Sequence, residues 1–342
     1  MNATVSNALR HMVGAAAGAA ALLALAGPAS AQLTEIRIAK GFGIPYLPIT
    51  VMDQQKLVEK QAAAAGLGPV KGVYMQLASG AAMTEALLSG NLDFATGGPG
   101  PLLTVWDRTK GNLNIKGIAA VSSIPVYLNT INPNVKTIAD FTEKDRIAVP
   151  TVGVSTQAVT LQIAAEKLFG KGKHNQLDKL TVSVAPPDAH NAMMSGGTEI
   201  TANFTSPPFM YQQVKDGKAR RILTSYDVMG GSTSFILMWT TEKFFKTYPK
   251  YFDVVLAALE EANAFIKANP RQAAEIFIAA EKSKLPLDFV EEMIKDPDVI
   301  FTSSPQHLMV YAEFMQRNGA IKNKPEDWKA VFFPPVHSRP GS

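Results

Sequence analysis

"EALLSGNLDFATGGPGPLL", Glu85 to Leu103, joins a helix-like run, a short apolar strand and a loop made almost wholly of Gly and Pro. Nothing in that loop can serve as acid, base, nucleophile or metal ligand. The stretch has an echo. "NAMMSGGTEI" (Asn191–Ile200) repeats the pattern of "EALLSGNLDF" (Glu85–Phe94), with the Ser-Gly steps Gly90 and Gly196 lying 106 residues apart. Upstream, "RIAKGFG" from Arg37 is matched by "RIAVPTVG" from Arg146, an offset of 109. Two matches in one order at nearly one offset predict a pair of similar α/β lobes. A period this long is not that of a solenoid.

Working outward, the first copy reads as strands "EIRIA" (Glu35–Ala39), "VYMQLA" (Val73–Ala78), "LDFAT" (Leu92–Thr96) and "IKGIAAVS" (Ile115–Ser122). Helical runs between them stop at Gly66 and Gly90, where glycine takes the left-handed helix end. The second copy reads "RIAVP", "LTVSVAP", "EITANFT" and "RRILTSY", with its clearest helix over Thr156–Phe169, capped by Ser155 and stopped by Gly170. Alternation of this kind predicts mostly parallel sheets flanked by helices. Two further strands, "IPVYLNT" (Ile124–Thr130) and "SFILMWT" (Ser234–Thr240), each follow the last strand of one copy. If each joins the other copy's sheet, the chain crosses twice and forms a two-strand hinge, with Gly230 and Gly231 absorbing rotation. The expected division is 1–31 as an export signal, 32–123 with 229–342 as lobe one, and 124–228 as lobe two. Everything after Thr241 is expected to be helical.

In open parallel sheets a ligand sits beyond the carboxyl ends of the strands. The loops there are "GFGIPYLP" (Gly41–Pro48), "ASGAAM" (Ala78–Met83) and "TGGPGP" (Thr96–Pro101) in the first copy. "TVGVSTQ" (Thr151–Gln157), "PPDAHN" (Pro186–Asn191) and "TSPPFMY" (Thr205–Tyr211) are their counterparts in the second. Asp188 is their one formal charge, and it reads as a helix N-cap. Gly admits a ligand close to the backbone, and the amides of a helix's first turn lack partners. Such ends act as roughly half a positive charge each and bind anions without a cationic side chain. The ligand-facing candidates are Ile44, Tyr46, Ser79, Gly80, Gly97, Gly98, Pro99, Ser155, Thr156, Gln157, Asp188, Thr205, Ser206 and Pro207. Several converging helix starts in a closing cleft describe a holder of small anions. Trp106 and Trp239 read as core.

Composition narrows the class. The chain has 342 residues, 46% hydrophobic and 18% charged, with no cysteine, so disulfides, thiol nucleophiles and Cys-ligated metals are out. Arg10 and His11, the uncharged run Met12–Ala26 and "ASA" at Ala29–Ala31 read as a cleavable signal, too short to span a bilayer. Export to a Gram-negative periplasm follows. The net charge of +4 is scattered, with no basic run, so nucleic acid is not indicated. His174, His190, His307 and His337 show no metal spacing. Gly41-x-Gly43 begins a dinucleotide fingerprint, but Tyr46 replaces the third Gly, and no Gly-x-Ser-x-Gly or His-Glu-x-x-His occurs. No cofactor and no catalysis are expected.

These residues resemble the periplasmic substrate-binding proteins of ABC importers for aliphatic sulfonates, taurine and nitrate, within a superfamily that also binds thiamine pyrimidine precursors. The most specific element is Gly-x-x-x-x-x-Ala-Leu-x-x-Gly-x-x-Asp, present as Gly80, Ala86, Leu87, Gly90 and Asp93. The second lobe of the family reads Asp-Ala and then an aromatic–Asp–Pro loop; here Thr201-Ala202 and Thr205-Ser206-Pro207 stand in their places. An acidic residue in that loop would pair with a ligand amine, and Ser206 cannot. The resemblance implies a two-lobe (type II) binding-protein fold acting as a monomer, with an ABC permease and its ATPase subunit as partners. The ligand is expected to be an organic anion without an ammonium group, such as a sulfonate, flanked by Tyr46 and Pro99. The alternatives are an aromatic carboxylate, or an uncharged or cationic heterocycle held by Asp188, Tyr46 and Phe209.

Overall fold

In the computed structural model, residues 32–215 and 217–342 are described; the expected export signal lies outside them. The strands are β1 (Glu35–Lys40), β2 (Lys71–Gln76), β3 (Ala95–Gly97), β4 (Lys116–Ser123), β5 (Tyr127–Thr130), β6 (Ile147–Val149), β7 (Thr181–Ser183), β8 (Ala202–Thr205), β9 (Arg220–Thr224), β10 (Ser234–Thr240) and β11 (Ile300–Phe301). β1 pairs in parallel with β2, and Ile38 bridges to Phe94 ahead of β3. A second sheet runs β11-β4-β10-β3, and a third runs β7-β6-β8-β5-β9.

The two crossing strands land where the pattern placed them. β5 leaves β4 and pairs with β8 and β9, while β10 leaves β9 and pairs with β3 and β4. They run antiparallel to their new neighbours, so each lobe's sheet work is mixed: parallel around β1-β2 and β7-β6-β8, antiparallel around the crossings. β5 enters its new sheet after the short link 124–126, with no crossover helix between it and β4, whereas residues 225–233 ahead of β10 hold a helical turn over Ser225–Met229.

Helix Thr156–Phe169 forms as its sequence dictates, with Ser155 Oγ accepting from Ala158 N at 3.3 Å and Gly170 at φ +104° ending it. Helix Pro249–Ala268 packs Phe252, Val255, Leu259 and Ile266 inward. Three expectations are corrected. "RRILTSY" is a strand only to Thr224; Thr224 Oγ1 then caps a helical turn over Ser225–Met229. The chain after Thr241 is not wholly helical. β11 pairs with β4, and past Arg317 the chain returns as short turns whose Phe332 bridges to Gly117. Asp188 is no cap: helix Pro186–Ser195 starts at Ala185, and Asp188 sits exposed in its first turn.

The repeat is visible in hydrogen bonds as well as in sequence. Arg37 N donates to Asp93 Oδ2 at 2.8 Å, and the Arg37 guanidinium clasps the same carboxylate at 2.9 and 3.1 Å. In the second copy Arg146 N donates to Thr201 Oγ1 at 3.3 Å, and Thr201 Oγ1 donates to buried Asp145 at 2.8 Å. Asp93 therefore corresponds to Thr201, and the second copy carries two extra residues after its Ser-Gly step.

Candidate functional site

The carboxyl ends of β1, β3, β6 and β8 converge on a cavity of about 40 Å³. Its walls include Gly41, Phe42, Tyr46, Ser79, Gly80, Gly97, Gly98 and Pro101 from one lobe, with Phe235 and Ile236 of β10. Pro150, Ser155, Thr156, Gln157, Pro186 and Ser206 face them from the other. None of the lining side chains carries a charge at neutral pH. Tyr46 is nearly inaccessible, and burial pushes its phenol above the ordinary value of 10, so it stays a neutral hydroxyl.

What each helix start offers depends on proline. In helix Leu47–Gln54, Leu47 N already donates to Ile44 O, and Pro48 has no N–H. Helix Pro99–Arg108 has prolines at its first and third positions, helix Pro186–Ser195 at its first two, and Pro207 and Pro208 precede helix Phe209–Lys215. Two starts keep the amides of both of their first two positions. Ser79 Oγ accepts from Ala82 N at 3.3 Å, leaving the amides of Gly80 and Ala81 ahead of the first intrahelical bond, Met83 N to Ser79 O. Ser155 does the same for Thr156 and Gln157, whose ladder begins with Val159 N to Ser155 O at 2.9 Å. The two starts come from different lobes and line one cavity.

Glycine lets these walls meet. A Cβ on Gly98 would lie 1.6 Å from Thr156 Oγ1, and one on Gly97 would lie 2.8 Å from the Gly80 Cα and 2.9 Å from the Trp239 ring. Thr156 Oγ1 is buried without a hydrogen-bond partner, an exception that asks for an explanation. Ser122, Ser123, Thr205 and Trp239 also bury unpaired polar atoms nearby in sequence or strand order.

Of the sequence candidates, Tyr46, Ser79, Gly80, Gly97, Gly98, Ser155, Thr156, Gln157 and Ser206 are brought together on the wall. Ile44 is not: its side chain is fully buried, and its amide donates to Pro207 O across the lobes at 3.1 Å. Pro207 supplies that carbonyl rather than a wall. Pro99 and Thr205 lie buried outside the lining, and Asp188 is on the outer surface. Sequence reasoning missed Gly41, Phe42, Pro101, Pro150, Pro186, Phe235 and Ile236. Phe42 stood in the first loop, whereas β10 had been read only as a crossing strand. Trp106 and Trp239 are core residues, the former tied by its indole N–H to Ala330 O at 3.2 Å.

Comparisons place this geometry. The fold matches the alkanesulfonate-binding protein SsuA from Xanthomonas axonopodis pv. citri bound to MOPS, at TM-score 0.71 and 16% identity over 88% of this chain and 99% of that one. The nitrate-binding protein NrtA from Synechocystis PCC 6803 matches at TM-score 0.68 and 16% identity, over 87% and 85%. The aliphatic sulphonate-binding protein SsuA from Escherichia coli matches at 0.64 and 17%, over 88% and 92%. No curated protein matches the chain. At these identities the likeness establishes a periplasmic-binding-protein fold. The model of the NMT1-like family matches residues 29–280, most of the chain, and the protein belongs to that family.

Proposed function

We propose that the protein is the solute-binding component of an ABC import system, working as a monomer in the periplasm after removal of residues 1–31. It would hold a small organic anion between two lobes, 32–123 with 229–342 and 124–228, and hand it to a membrane permease and its ATPase. Binding shifts the balance of open and closed forms and breaks no covalent bond. Among the described residues no helix is long and apolar enough to cross a membrane.

One observation carries this reading: two open helix starts and the unpaired Thr156 hydroxyl face a buried cavity whose lining holds no carboxylate and no cation. Donors without charged side chains suit an anion, and no carboxylate lines the cavity to pair with an ammonium group. That counts against the cationic heterocycle, since Asp188 lies outside the cavity. The fold likeness to sulfonate- and nitrate-binding proteins agrees. Calorimetry on the full chain with methanesulfonate, nitrate, acetate and an alkylammonium tests it. Binding of an anion supports the reading; binding of the ammonium alone refutes it.

A further inference from the structure

A second cavity, called the mouth below, adjoins the first at Phe42. It measures about 510 Å³, more than ten times the inner one, and Phe42 lines both. Its walls are ring-rich on each side of the cleft: Phe42 and Phe277 from lobe one, His190 and Phe209 from lobe two, with Pro187 and Pro208 beside them. The His190 and Phe209 rings lie 5.6 Å apart, tilted by 42°. His190 Nδ1 is buried without a partner.

Charge is nearly absent from this mouth as well. Glu281 lines it, but its carboxylate is held by Lys40 Nζ at 3.0 Å and by Gln76 Nε2 at 3.1 Å. Burial lowers the His190 pKa from its ordinary 6.5, which favours the neutral ring. Lys284 is the remaining charged residue of the lining, and it is exposed. The open helix starts at Ser79 and Ser155 line the inner cavity and not the mouth, which assigns the anion to the inner cavity, with room for about three water-sized groups. A head of that size is a carboxylate or a sulfonate, and no bulkier body fits beside it.

Resting on the function proposed above, we infer that the ligand has two parts: a compact anionic head in the inner cavity and an aromatic ring in the mouth, between Phe42 and the Phe209–His190 pair. Aromatic rings prefer offset or edge-on contacts with other rings, and the tilted His190–Phe209 pair offers such faces on one side, with the rings of Phe42 and Phe277 in the same lining. Phe42 is half-buried, so its ring can serve as the partition against which the two parts of the guest are joined. An inorganic anion or a short alkyl chain would leave most of those faces wet.

The test is calorimetry on the full chain with two matched pairs, methanesulfonate against benzenesulfonate and acetate against benzoate. We expect the aryl member to bind at least about tenfold more tightly in one or both pairs. Phe209→Ala should cut that aryl-to-alkyl ratio to about twofold, and Phe209→Leu, which keeps apolar volume, should leave it intermediate. Equal affinities within both pairs overturn the aromatic mouth while leaving anion binding intact. So does an unchanged ratio in both variants. Failure of all four probes to bind overturns the proposed function and the inference with it.

Discussion

Tyr46 and Ser155 occupy the same place in the two copies, 109 residues apart, each at the cap of the helix that follows the first strand. The outcomes differ. At Tyr46 the start is closed, with Leu47 N bound to Ile44 O and Pro48 lacking a proton, so an aromatic ring is what that loop presents. At Ser155 the start is open, and two amides with a free hydroxyl are presented instead. The next pair of helices reverses the roles: Gly80 and Ala81 leave the lobe-one start open, while Pro186 and Pro187 close its lobe-two counterpart. Duplication supplied two sets of helix ends, and proline decides which of them act. The lesson is that symmetry of fold does not give symmetry of site.

The sharpest way to break the comparison is Ser155→Asp. Asp caps helices as well as Ser, so the fold should persist. A carboxylate at the open start then faces an anion at a cost of several kcal/mol, and binding should fall at least about a thousandfold by calorimetry. Gly98→Ala comes next. Its methyl would collide with Thr156 Oγ1 at 1.6 Å, forcing the lobes apart. An overpacking cost of about 3 kcal/mol predicts roughly a hundredfold loss of affinity, with near-normal thermal stability of the free protein.

The clamps give a comparison in stability. Asp93→Ala strands the Arg37 guanidinium and should cost about 2 kcal/mol in urea titration, whereas Thr201→Ala should cost about 1.5, since it removes one neutral bond from Arg146 N and one charge-assisted bond to Asp145, which Asn132 and Thr142 still hold. Thr156→Val should weaken anion binding at least about tenfold, the value of one hydrogen bond to a charged acceptor, without changing the fold.

Acid probes the second clamp. Burial alone would raise the Asp145 carboxyl, but bonds from Asn132, Thr142 and Thr201 outweigh it and hold the group below its ordinary 3.8. A depressed folded value means the contribution is present at neutral pH and is lost as pH falls through that value. Asp145→Asn should flatten this acid limb of a stability-against-pH curve, and an unaltered limb would assign it to other carboxylates.

Much of the fold was legible because its signals are local. Ser155 and Gly170 bracket their helix as cap chemistry requires, and the apolar strands after Ser122 and Tyr226 announced both crossings. Boundaries slipped where tertiary pairing decides: β2 starts at Lys71 because it registers against Glu35, two residues before the apolar run suggested. At the site, the small and hydroxyl residues were readable from their loops. The neutralising effect of Pro48, Pro99, Pro101, Pro186, Pro187, Pro207 and Pro208 on helix ends was written in the sequence too, since a missing N–H needs no coordinates. Phe42, Phe235 and Ile236 were not readable as walls, because only the closed packing of distant strands turns their side chains toward one space. Asp188 failed for a converse reason: the two prolines before it begin the helix early and carry the carboxylate past the cap.

For the anion proposed above, counting helix ends also bounds the charge that the cavity can balance. Two unblocked termini at roughly half a charge apiece balance about one negative unit, and no lysine or arginine lines the cavity to neutralise a second. Sulfate or hydrogen phosphate in doubly ionised form would bring an uncompensated electron charge out of water, at a desolvation cost nothing there repays. On that proposal the proline pattern would make the pocket a monovalent filter, sorting by ionisation state before shape is consulted.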